Sequence, residues 1–206
     1  MLDSVILEGR NVRLEPLSAD YIPGLVQAAN QSRDTYGFTY VPKDANAMRL
    51  YVETALAGRD DGSMLPFATI DPHTKRVVGS TRFHHAEFWD WPADNSKQRS
   101  KQTPDVVNIG ATWLAADAQQ MGINREAKLL MLTHAFESWF VHRVRITADS
   151  RNERSRRAIM RLGAHLDGVV RSDRLAVDGA IRDSAFYSFL DSEWPEVKAR
   201  LTARLR

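Results

Sequence analysis

The sequence predicts a fold of the mixed α/β (α+β) class, because strand-like and helix-like segments alternate along the chain. Two short segments rich in β-branched residues, 106–114 and 144–147, are each followed by a polar turn and a helical pattern. A chain of 206 residues with 43% hydrophobic side chains can bury the core of one domain. We therefore expect a single domain over residues 1–206 in which helices flank a β-sheet.

The first half of the chain is expected to begin with one strand and two helices. Residues Val12 to Glu15 alternate in hydrophobicity as a strand does, and amphipathic helical patterns run from Ala19 to Asn30 and from Ala45 to Ala57. Two further strands, Phe67 to Ile70 and Val77 to Glu87, flank a turn-rich link. These two strands are expected to pair as a hairpin.

A loop is expected to follow this hairpin. It starts with Trp89-Asp90-Trp91-Pro92 and continues as a polar run to Pro104. Residues of about 86–105 are therefore predicted to form an inserted loop.

The second half is expected to alternate strands and helices. Val106 to Leu114 predicts a strand that leads into a long helical pattern after Gly122, and 144–147 predicts the next strand. Asn152 fits the N-cap of a second helix, and Gly163 fits the left-handed residue beyond its end. The last predicted elements are a hairpin of 164–177 and 181–190 and a terminal helix with Pro195 near its start.

The turn between the strand at 106–114 and the following helix has the features of an anion site. Gly122 lies at the mouth of the helix, and a glycine lets successive backbone N–H groups converge. The unpaired donors of a first helical turn and the helix macrodipole favour a phosphate there. A lone glycine before a helix is also common in ordinary turns, so this turn alone does not decide.

The motifs around this turn resemble those of the GNAT superfamily of acyl-CoA-dependent N-acyltransferases. The signature of that superfamily is Gln/Arg-x-x-Gly-x-Gly/Ala, and Gln119, Gly122 and Asn124 occupy the three places. Asn124 departs from the signature. We expect its amide to cap the helix or its backbone to adopt a positive φ.

The resemblance is closest to the branch that includes ribosomal-protein N-terminal acetyltransferases, and it spans about the C-terminal half of the chain. The motifs that carry it recur in one order: Ile109-Gly110 with Trp113-Leu114, Glu126 to Leu130, Asn152 to Ser155 with Arg161 to Ala164, Asp167-Gly168, Arg182-Asp183, Tyr187-Ser188 and Glu193 to Pro195. The resemblance implies a GNAT fold, with a mostly antiparallel mixed sheet, a splayed central strand pair and flanking helices.

The resemblance implies acetyl-CoA, or another acyl-CoA, as co-substrate and no metal. Because the chain has no cysteine, a reactive thiol must come from such a cofactor. The residues expected at the cofactor are Trp113, Leu114, Ala115, Gln119, Gln120, Met121, Gly122, Ile123, Asn124, Asn152 and Ser155. Backbone N–H groups near Leu114 would face the thioester, and the Asn152 amide would contact the pantetheine.

Ser155 falls at the serine that the ribosomal-protein branch places near the leaving thiolate. The alternative interpretation is a polar residue of a capping arrangement in the first helical turn. Many other members of the superfamily use a tyrosine about one turn or more later on this helix, where this chain has Ile159 and Met160.

The general base is the least defined part of the expected chemistry. Relatives carry a glutamate before Ile-Gly on the central strand, whereas this chain has Asn108, which cannot take a proton. The candidates are Glu87, His84 and His85 on the preceding strand and Asp173 on the penultimate strand. An α-amino group with a pKa of about 8 is also partly neutral at cellular pH, and water can carry its proton.

Two of these candidates raise questions of strand geometry. The carboxylate that relatives carry on the penultimate strand aligns with Arg174, one residue from Asp173, and such a shift reverses the face. Since adjacent strand residues point to opposite faces, His84 and His85 are not expected to share a metal ion.

The resemblance places the acceptor between the early helical loop and the edge of the sheet. The candidate substrate contacts are Tyr36, Tyr40, His85, Trp89 and Trp91. Packing beneath long loops is the alternative for the aromatic rings, and we favour it for Phe38.

A net charge of +2 does not demand a nucleic-acid partner, yet seven arginines crowd into a short span. They are Arg143, Arg145, Arg151, Arg154, Arg156, Arg157 and Arg161. Three explanations of this cluster are open. The arginines could form the solvated face of a helix, one or two of them could contact CoA phosphates, or they could bind nucleic acid. No known nucleic-acid-binding module supports the last.

Two functions of different classes follow. The first is transfer of an acetyl or other short acyl group from acyl-CoA to a primary amine of a small molecule or a protein N-terminus. The second is a non-catalytic acyl-CoA-binding sensor or scaffold. We expect a cytoplasmic protein with no membrane partner, because no long apolar run or signal core is found. The acceptor, the acyl preference and the formation of a homodimer are left open.

Overall fold

The computed structural model describes residues 2–99 and 102–205, which form one sheet of eight strands flanked by helices. The strands are β1 (Leu7–Glu8), β2 (Arg13–Pro16), β3 (Met64–Asp71), β4 (Arg76–Glu87), β5 (Val106–Leu114), β6 (Arg143–Asp149), β7 (His165–Leu175) and β8 (Ile181–Leu190). The helices are α1 (Ile22–Ala29), α2 (Ala45–Asp60), α3 (Ile123–Thr133), α4 (Glu153–Leu162) and α5 (Trp194–Ala203).

The order of the strands across the sheet is β1-β2-β3-β4-β5-β6-β8-β7. Among the described strands, β5 and β6 are the one parallel pair, and every other neighbouring pair is antiparallel. The predicted mixed class and the mostly antiparallel sheet are confirmed. No helix in residues 2–99 and 102–205 is long and apolar enough to cross a bilayer.

The predicted elements are present, with ends that differ by a few residues. The helical pattern from Ala19 begins as a 3₁₀ turn and becomes α1 at Ile22, where Pro23 suits the first turn of an α-helix. The two-residue strand β1 was not predicted. The long helical pattern after Gly122 forms α3 and then a π-helical turn, His134–Ser138.

Both ends of α4 follow the sequence prediction. Asn152 precedes the helix, and its side chain accepts a 3.0 Å hydrogen bond from the Ser155 N–H. Gly163 ends the helix with a φ of +104°, which favours glycine. Pro195 lies in the first turn of α5, as expected.

The predicted splay of the central strands is confirmed at β5 and β6. Their ladder runs from the Val106–Arg143 pair to the Asn108–Arg145 pair and stops there, although β6 continues to Asp149. The rest of β5 therefore leaves a gap on its β6 side. A bulge in β5 follows the end of the ladder, because the register shifts opposite Ser80 and Arg82 and Ala111 adopts a φ of +48°.

The two faces of the central sheet differ in character. Directly opposed residues share a face, so His84, Asn108, Arg145 and Ser188 lie together across β4, β5, β6 and β8. Alternation along the strands adds Arg82, Arg182 and Ser184 to this side, which we call the polar face. The opposite face carries apolar side chains such as Phe83 and Tyr187.

Two buried charged residues of helix α3 form hydrogen bonds with other parts of the molecule. The Glu126 carboxylate accepts hydrogen bonds of 2.8 and 2.6 Å from the backbone N–H groups of Arg10 and Asn11. The Lys128 ammonium donates to the hydroxyls of Thr81, at 3.0 Å, and Thr112, at 2.8 Å. Because Thr112 directly follows Ala111, this contact joins α3 to the bulge in β5.

The connection between β4 and β5, residues 88–105, corresponds to the predicted inserted loop, except that residues 100 and 101 lie outside the described part of the chain. Its start folds around the buried Asp105, which accepts from the Trp89 N–H at 2.7 Å and the Trp91 Nε1 at 2.8 Å. The Trp89 ring stacks on His142 at 5.5 Å. This cluster lies where β5 and β6 begin, at the other end of β5 from Leu114.

Candidate active site

Gly122 forms the entrance to α3 with a left-handed backbone. Its φ is +81°, and Gln120 is also left-handed with a φ of +68°. A Cβ built on Gly122 would meet no atom within 4 Å, so the turn faces open space. The N–H groups of the first turn have no acceptor inside the helix and point out at this end. The geometry therefore suits the predicted anion turn.

Asn124 does not behave as expected for its place in the signature. It lies inside α3 with a helical backbone, and Gly122, not Asn124, is the N-cap residue. The expectation of a cap or a positive φ at Asn124 was wrong, because Gly122 already takes the left-handed conformation that starts the helix. The Asn124 Oδ1 is buried without a hydrogen-bond partner among the described residues.

A cleft of about 600 Å³ opens at the start of α3. Its lining residues are Gln120, Gly122, Asn124, Arg125, Ala158, Arg161, Leu162 and Arg204. Arg125 donates to the Arg204 carbonyl at 2.6 Å, and Arg204 donates to the Arg161 carbonyl at 2.7 Å. Three guanidinium groups thus surround a cleft at a helix N-terminus, an arrangement that attracts phosphate oxygens.

The predicted cofactor residues beside this turn have different surroundings. Met121 is 68% exposed, whereas Ile123 is packed in the core. Gln119 Nε2 donates to the Leu114 carbonyl at 2.9 Å and to Thr35 Oγ1 at 2.8 Å, and its Oε1 accepts from Arg154 at 2.7 Å. The Gln119 side chain therefore links β5, the loop between α1 and α2, and α4.

The three predicted residues at the end of β5 do not offer equivalent backbone donors. The Ala115 N–H donates to the Val78 carbonyl at 2.7 Å, across the strand pair in which Leu114 opposes Gly79. In antiparallel pairing, this makes Leu114 a non-hydrogen-bonded position, so its own N–H faces away from β4. The Leu114 N–H therefore faces the gap between β5 and β6. The backbone N–H groups of the buried Trp113 and Ala115 face β4 instead.

Asn152 and Ser155 come together at the start of α4. The Asn152 Oδ1 caps the Ser155 N–H, which leaves the Asn152 Nδ2 available to another acceptor. The Ser155 hydroxyl makes no hydrogen bond to the described residues, and the residue is half-buried. Capping is thus performed by Asn152, and the Ser155 hydroxyl is not needed for it.

Asn108 lies on the polar face where the β5–β6 ladder stops. It is directly opposite His84 on one side and Arg145 on the other. Its Oδ1 is buried and has no hydrogen-bond partner among the described residues. An acceptor group without a donor is thus found where the resemblance implies a carboxylate.

His84 and His85 are close together, contrary to the expectation that adjacent strand residues point apart. His85 lies in a bulge with a φ of +49°, and the two Nδ1 atoms are 2.6 Å apart. Burial, and then the charges of His85, Arg82 and Arg174, lower the pKa of His84 to about 4. In the described residues, no group of three His, Asp or Glu side chains is placed to hold a metal ion.

Both carboxylate candidates for the base are in ion pairs. Glu87 binds the guanidinium of Arg145 through both of its oxygens. Asp173 accepts from Ser184 Oγ at 2.7 Å and from Arg174 Nε at 2.7 Å, and these contacts hold its pKa below the usual range. A bulge at Ser172, whose φ is +51°, places Asp173 against Ser184. A carboxylate with a lowered pKa accepts a proton poorly near neutral pH, which disfavours Asp173 as the base.

The candidate acceptor contacts do not form one group. The Tyr36 hydroxyl donates to the Leu114 carbonyl at 2.9 Å, and its ring meets Trp113 edge to face. Tyr40 is 56% exposed in the same early loop. Trp89 and Trp91 belong to the cluster at the opposite end of β5. The structure thus brings Tyr36 to the gap, but not the two tryptophans.

Most of the crowded arginines are held by acidic or carbonyl partners. Arg145 binds Glu87, Arg151 binds Asp149 and Asp178, Arg156 binds Tyr187 and the Ser150 carbonyl, and Arg157 binds Glu153. Arg154 and Arg161 remain near the anion turn, through Gln119 and the cleft. Sequence reasoning missed Arg125 and Arg204. Arg125 is adjacent to the signature, but α5 gives no local signal for Arg204.

Comparisons with known proteins agree with this geometry. A sequence profile for the acetyltransferase (GNAT) domain matches residues 11–165. YdaF of Bacillus subtilis (strain 168), provisionally named a ribosomal N-acetyltransferase, is 38% identical over 93 residues, which are 44% of this chain and 50% of YdaF. The match thus spans about half the length of that curated relative.

Two crystal structures are similar over the whole chain. A protein from T. thermophilus, provisionally described as an acetyltransferase, has 33% identity and a TM-score of 0.80, with 100% of both chains covered. A GCN5-related N-acetyltransferase from Brucella melitensis has 26% identity and a TM-score of 0.83, covering 100% of this chain and 87% of the other.

Proposed function

The chain belongs to the GNAT acetyltransferase family, and from this we propose that it transfers an acetyl group from acetyl-CoA to a primary amine. The observation that carries the proposal is the gap beside β5, which opens next to the anion turn at Gly122. In this arrangement the CoA phosphates bind the start of α3. The pantetheine then runs into the gap between β5 and β6 and forms hydrogen bonds with exposed strand edges.

The proposed reaction is direct attack in a ternary complex. The neutral amine forms a bond to the thioester carbonyl carbon, and its nitrogen, now positively charged, releases one proton to water. The C–S bond then breaks and the CoA thiolate leaves. The Leu114 N–H stabilises the developing oxyanion, and one such donor lowers the barrier by about 3 kcal/mol. The CoA thiolate takes a proton from the Ser155 hydroxyl, which is then reprotonated from solvent.

A protein N-terminus is the acceptor class that we propose first. The curated relative YdaF carries a ribosomal name, which supports a protein acceptor for this chain too. The test is acetyl-CoA turnover, measured as free thiol, with N-terminal peptides and small amines, followed by mass spectrometry of the products. CoA binding without turnover of any amine would instead favour an acyl-CoA sensor or scaffold, an alternative to which Asn108 lends weight.

We expect Ser155→Ala to lower kcat by about 10- to 100-fold with a smaller change in the KM for acetyl-CoA. The hydroxyl is free of the helix cap, so its removal takes away the proton donor without uncapping α4. Steady-state kinetics and a thermal unfolding curve would test this. Wild-type turnover in the folded variant would reduce Ser155 to a structural residue.

The pH dependence of kcat should follow the acceptor. His84 is already neutral and Asp173 already ionised around pH 7, because their pKa values are lowered, so neither changes charge between pH 6 and pH 9. The rate should therefore rise with pH as the acceptor ammonium deprotonates, with a midpoint that moves between acceptors of different basicity. A midpoint that stays fixed for all acceptors, and that is lost in Glu87→Gln, His84→Ala, His85→Ala or Asp173→Asn, would identify an enzyme base.

A further inference from the structure

Two arginines oppose each other directly on the polar face. Arg174 of β7 pairs with Arg182 of β8 in the antiparallel ladder. Like charges at directly opposed positions of a sheet destabilise it. One anion already lies beside the pair, because Asp173 binds Arg174 directly and is linked to Arg182 through the Ser184 hydroxyl, and a second anion would offset the remaining charge.

The two guanidinium groups are not neutralised equally. Arg174 Nε donates to Asp173 at 2.7 Å, whereas Arg182 Nε donates to the neutral Ser184 hydroxyl at 2.8 Å. Arg182 has no ion pair with any described residue. Burial and the charge of Arg174 hold the pKa of Arg182 below its usual range, and the nearby charges of Asp149 and Asp173 offset only part of this effect.

The arginine pair belongs to the acceptor side of the gap. The charge of Arg174 acts on His84, which lies opposite Asn108, although three strands separate β7 from β4. Arg182 lies on the polar face, on the same side of the sheet as His84, Asn108 and Arg145. The turn of the β7–β8 hairpin is also linked to the loop between α1 and α2, since Asp178 pairs with Arg151 at 2.9 Å and Arg151 stacks on Phe38 of that loop.

Most carboxylates on this side are already paired with arginines, and Asp173 offsets the charge of Arg174 but forms no ion pair with Arg182. Three of them are taken up by arginines: Glu87 by Arg145, Asp149 by Arg151, and Asp173 by Arg174. The exposed Asp167 accepts from the Ser188 hydroxyl at 2.7 Å near the start of β7. Arg82 adds a further cation, buried against Tyr51 with Nε and Nη2 unpaired. Of the arginines named on this side, Arg82 and Arg182 are thus the two without an ion pair to a described residue.

We propose that Arg174 and Arg182 bind an anionic group, carried by the acceptor close to its reactive amine. The inference rests on the proposed function and names its substrate class. Guanidinium forks bind carboxylates and phosphates through paired hydrogen bonds, and Arg182 keeps its two terminal nitrogens free of ion pairs. Two sources supply this chemistry: an acidic side chain near a peptide N-terminus, and the α-carboxylate of a free amino acid.

A matched acceptor panel tests the proposal. Peptides that begin with Ala-Asp, Ala-Asn and Ala-Lys share one N-terminal residue, and free alanine is compared with alaninamide. If peptides are the acceptors, we expect kcat/KM to be at least about tenfold higher for Ala-Asp than for Ala-Asn, with Ala-Lys the poorest peptide. If free amino acids are the acceptors, we expect the same margin for alanine over alaninamide. Peptide and amino-acid arms distinguish the two sources. Equal use of acidic, neutral and basic acceptors would overturn the proposal.

Variants of the pair separate anion binding from a structural role. Arg182→Gln should reduce the preference for the acidic acceptor by about tenfold, mainly through KM, and Arg182→Lys should restore part of it. Arg157→Gln is the matched control, because Arg157 pairs with Glu153 on the exposed side of α4. If Arg182→Gln does not fold, Arg174→Gln removes the more exposed partner and should shift the preference in the same direction.

Binding without turnover makes the test independent of the proposed activity. The N-acetylated Ala-Asp and Ala-Asn peptides would be titrated into the full chain by calorimetry, with CoA present. Tighter binding of the acidic peptide, weakened by Arg182→Gln and by salt, supports the anion site even if no amine is acetylated. Equal affinities would contradict it even if acetylation occurs.

Discussion

Replacing Gly122 by aspartate should abolish measurable CoA binding in a protein that still folds. The new carboxylate would stand at the N-terminus of α3, where the free N–H groups are proposed to bind a diphosphate, and like charges at this distance repel strongly. We expect an affinity loss of about 100-fold or more by calorimetry. The fold should survive, because a Cβ at Gly122 meets no atom within 4 Å and a negative charge suits a helix N-terminus.

Two controls separate charge from backbone strain. Gly122→Asn adds the same shape without the charge, so it should retain much more affinity than Gly122→Asp. Gly179→Asp places the same residue at a φ of +82°, close to the +81° of Gly122, but in the β7–β8 turn away from α3. Unchanged CoA affinity in a folded Gly122→Asp variant would refute the anion turn.

Local chemistry explains why the helix ends were predictable from the sequence. Asn152 caps α4, Gly163 ends it with a positive φ, and Pro195 starts α5, and each depends on neighbours a few residues away. The same holds for Gly122 at the start of α3. The resemblance added the splay of β5 and β6, which no residue pattern within β5 reveals.

The bulges could not be predicted from the sequence, because a bulge depends on how two strands pair. His85 and Ala111 adopt positive φ where the register between β4 and β5 shifts. Strict alternation therefore placed His84 and His85 on opposite faces, whereas the bulge brings their rings together. The bulge at Ser172 changes the surroundings of Asp173 in the same way.

Long-range partners explain the remaining differences. Trp89 and Trp91 were candidates for the acceptor site because they are aromatic residues in a loop, but Asp105 and His142 hold them where β5 begins. No local sequence pattern indicates that Asp105 and His142 are the partners of these two tryptophans. The burial of Lys128, in contrast, could have been predicted, because this residue precedes the buried Met131 and Leu132 by three and four residues in α3.

Lys128→Met should stabilise the protein at pH 7 and remove a pH-dependent part of its stability. Burial lowers the pKa of Lys128 to about 7 from 10.5, and its contacts are the hydroxyls of Thr81 and Thr112. Between these two pH values the unfolded chain holds a proton that the folded chain has released, so the free energy of unfolding rises with pH. The penalty is complete below pH 7 and disappears towards pH 10.5, a change on the order of 5 kcal/mol.

Denaturant unfolding of both proteins from pH 6 to pH 10 measures this difference. Methionine matches the length of the lysine stem, and Thr81 and Thr112 keep their mutual 2.8 Å hydrogen bond, so the variant loses the buried charge without leaving a cavity. The gain over wild type should be largest near pH 6 and shrink as the pH rises. Lys43→Met, at an exposed lysine, should give a curve parallel to wild type. A constant difference between Lys128→Met and wild type across this range would show that Lys128 keeps its proton in the folded state.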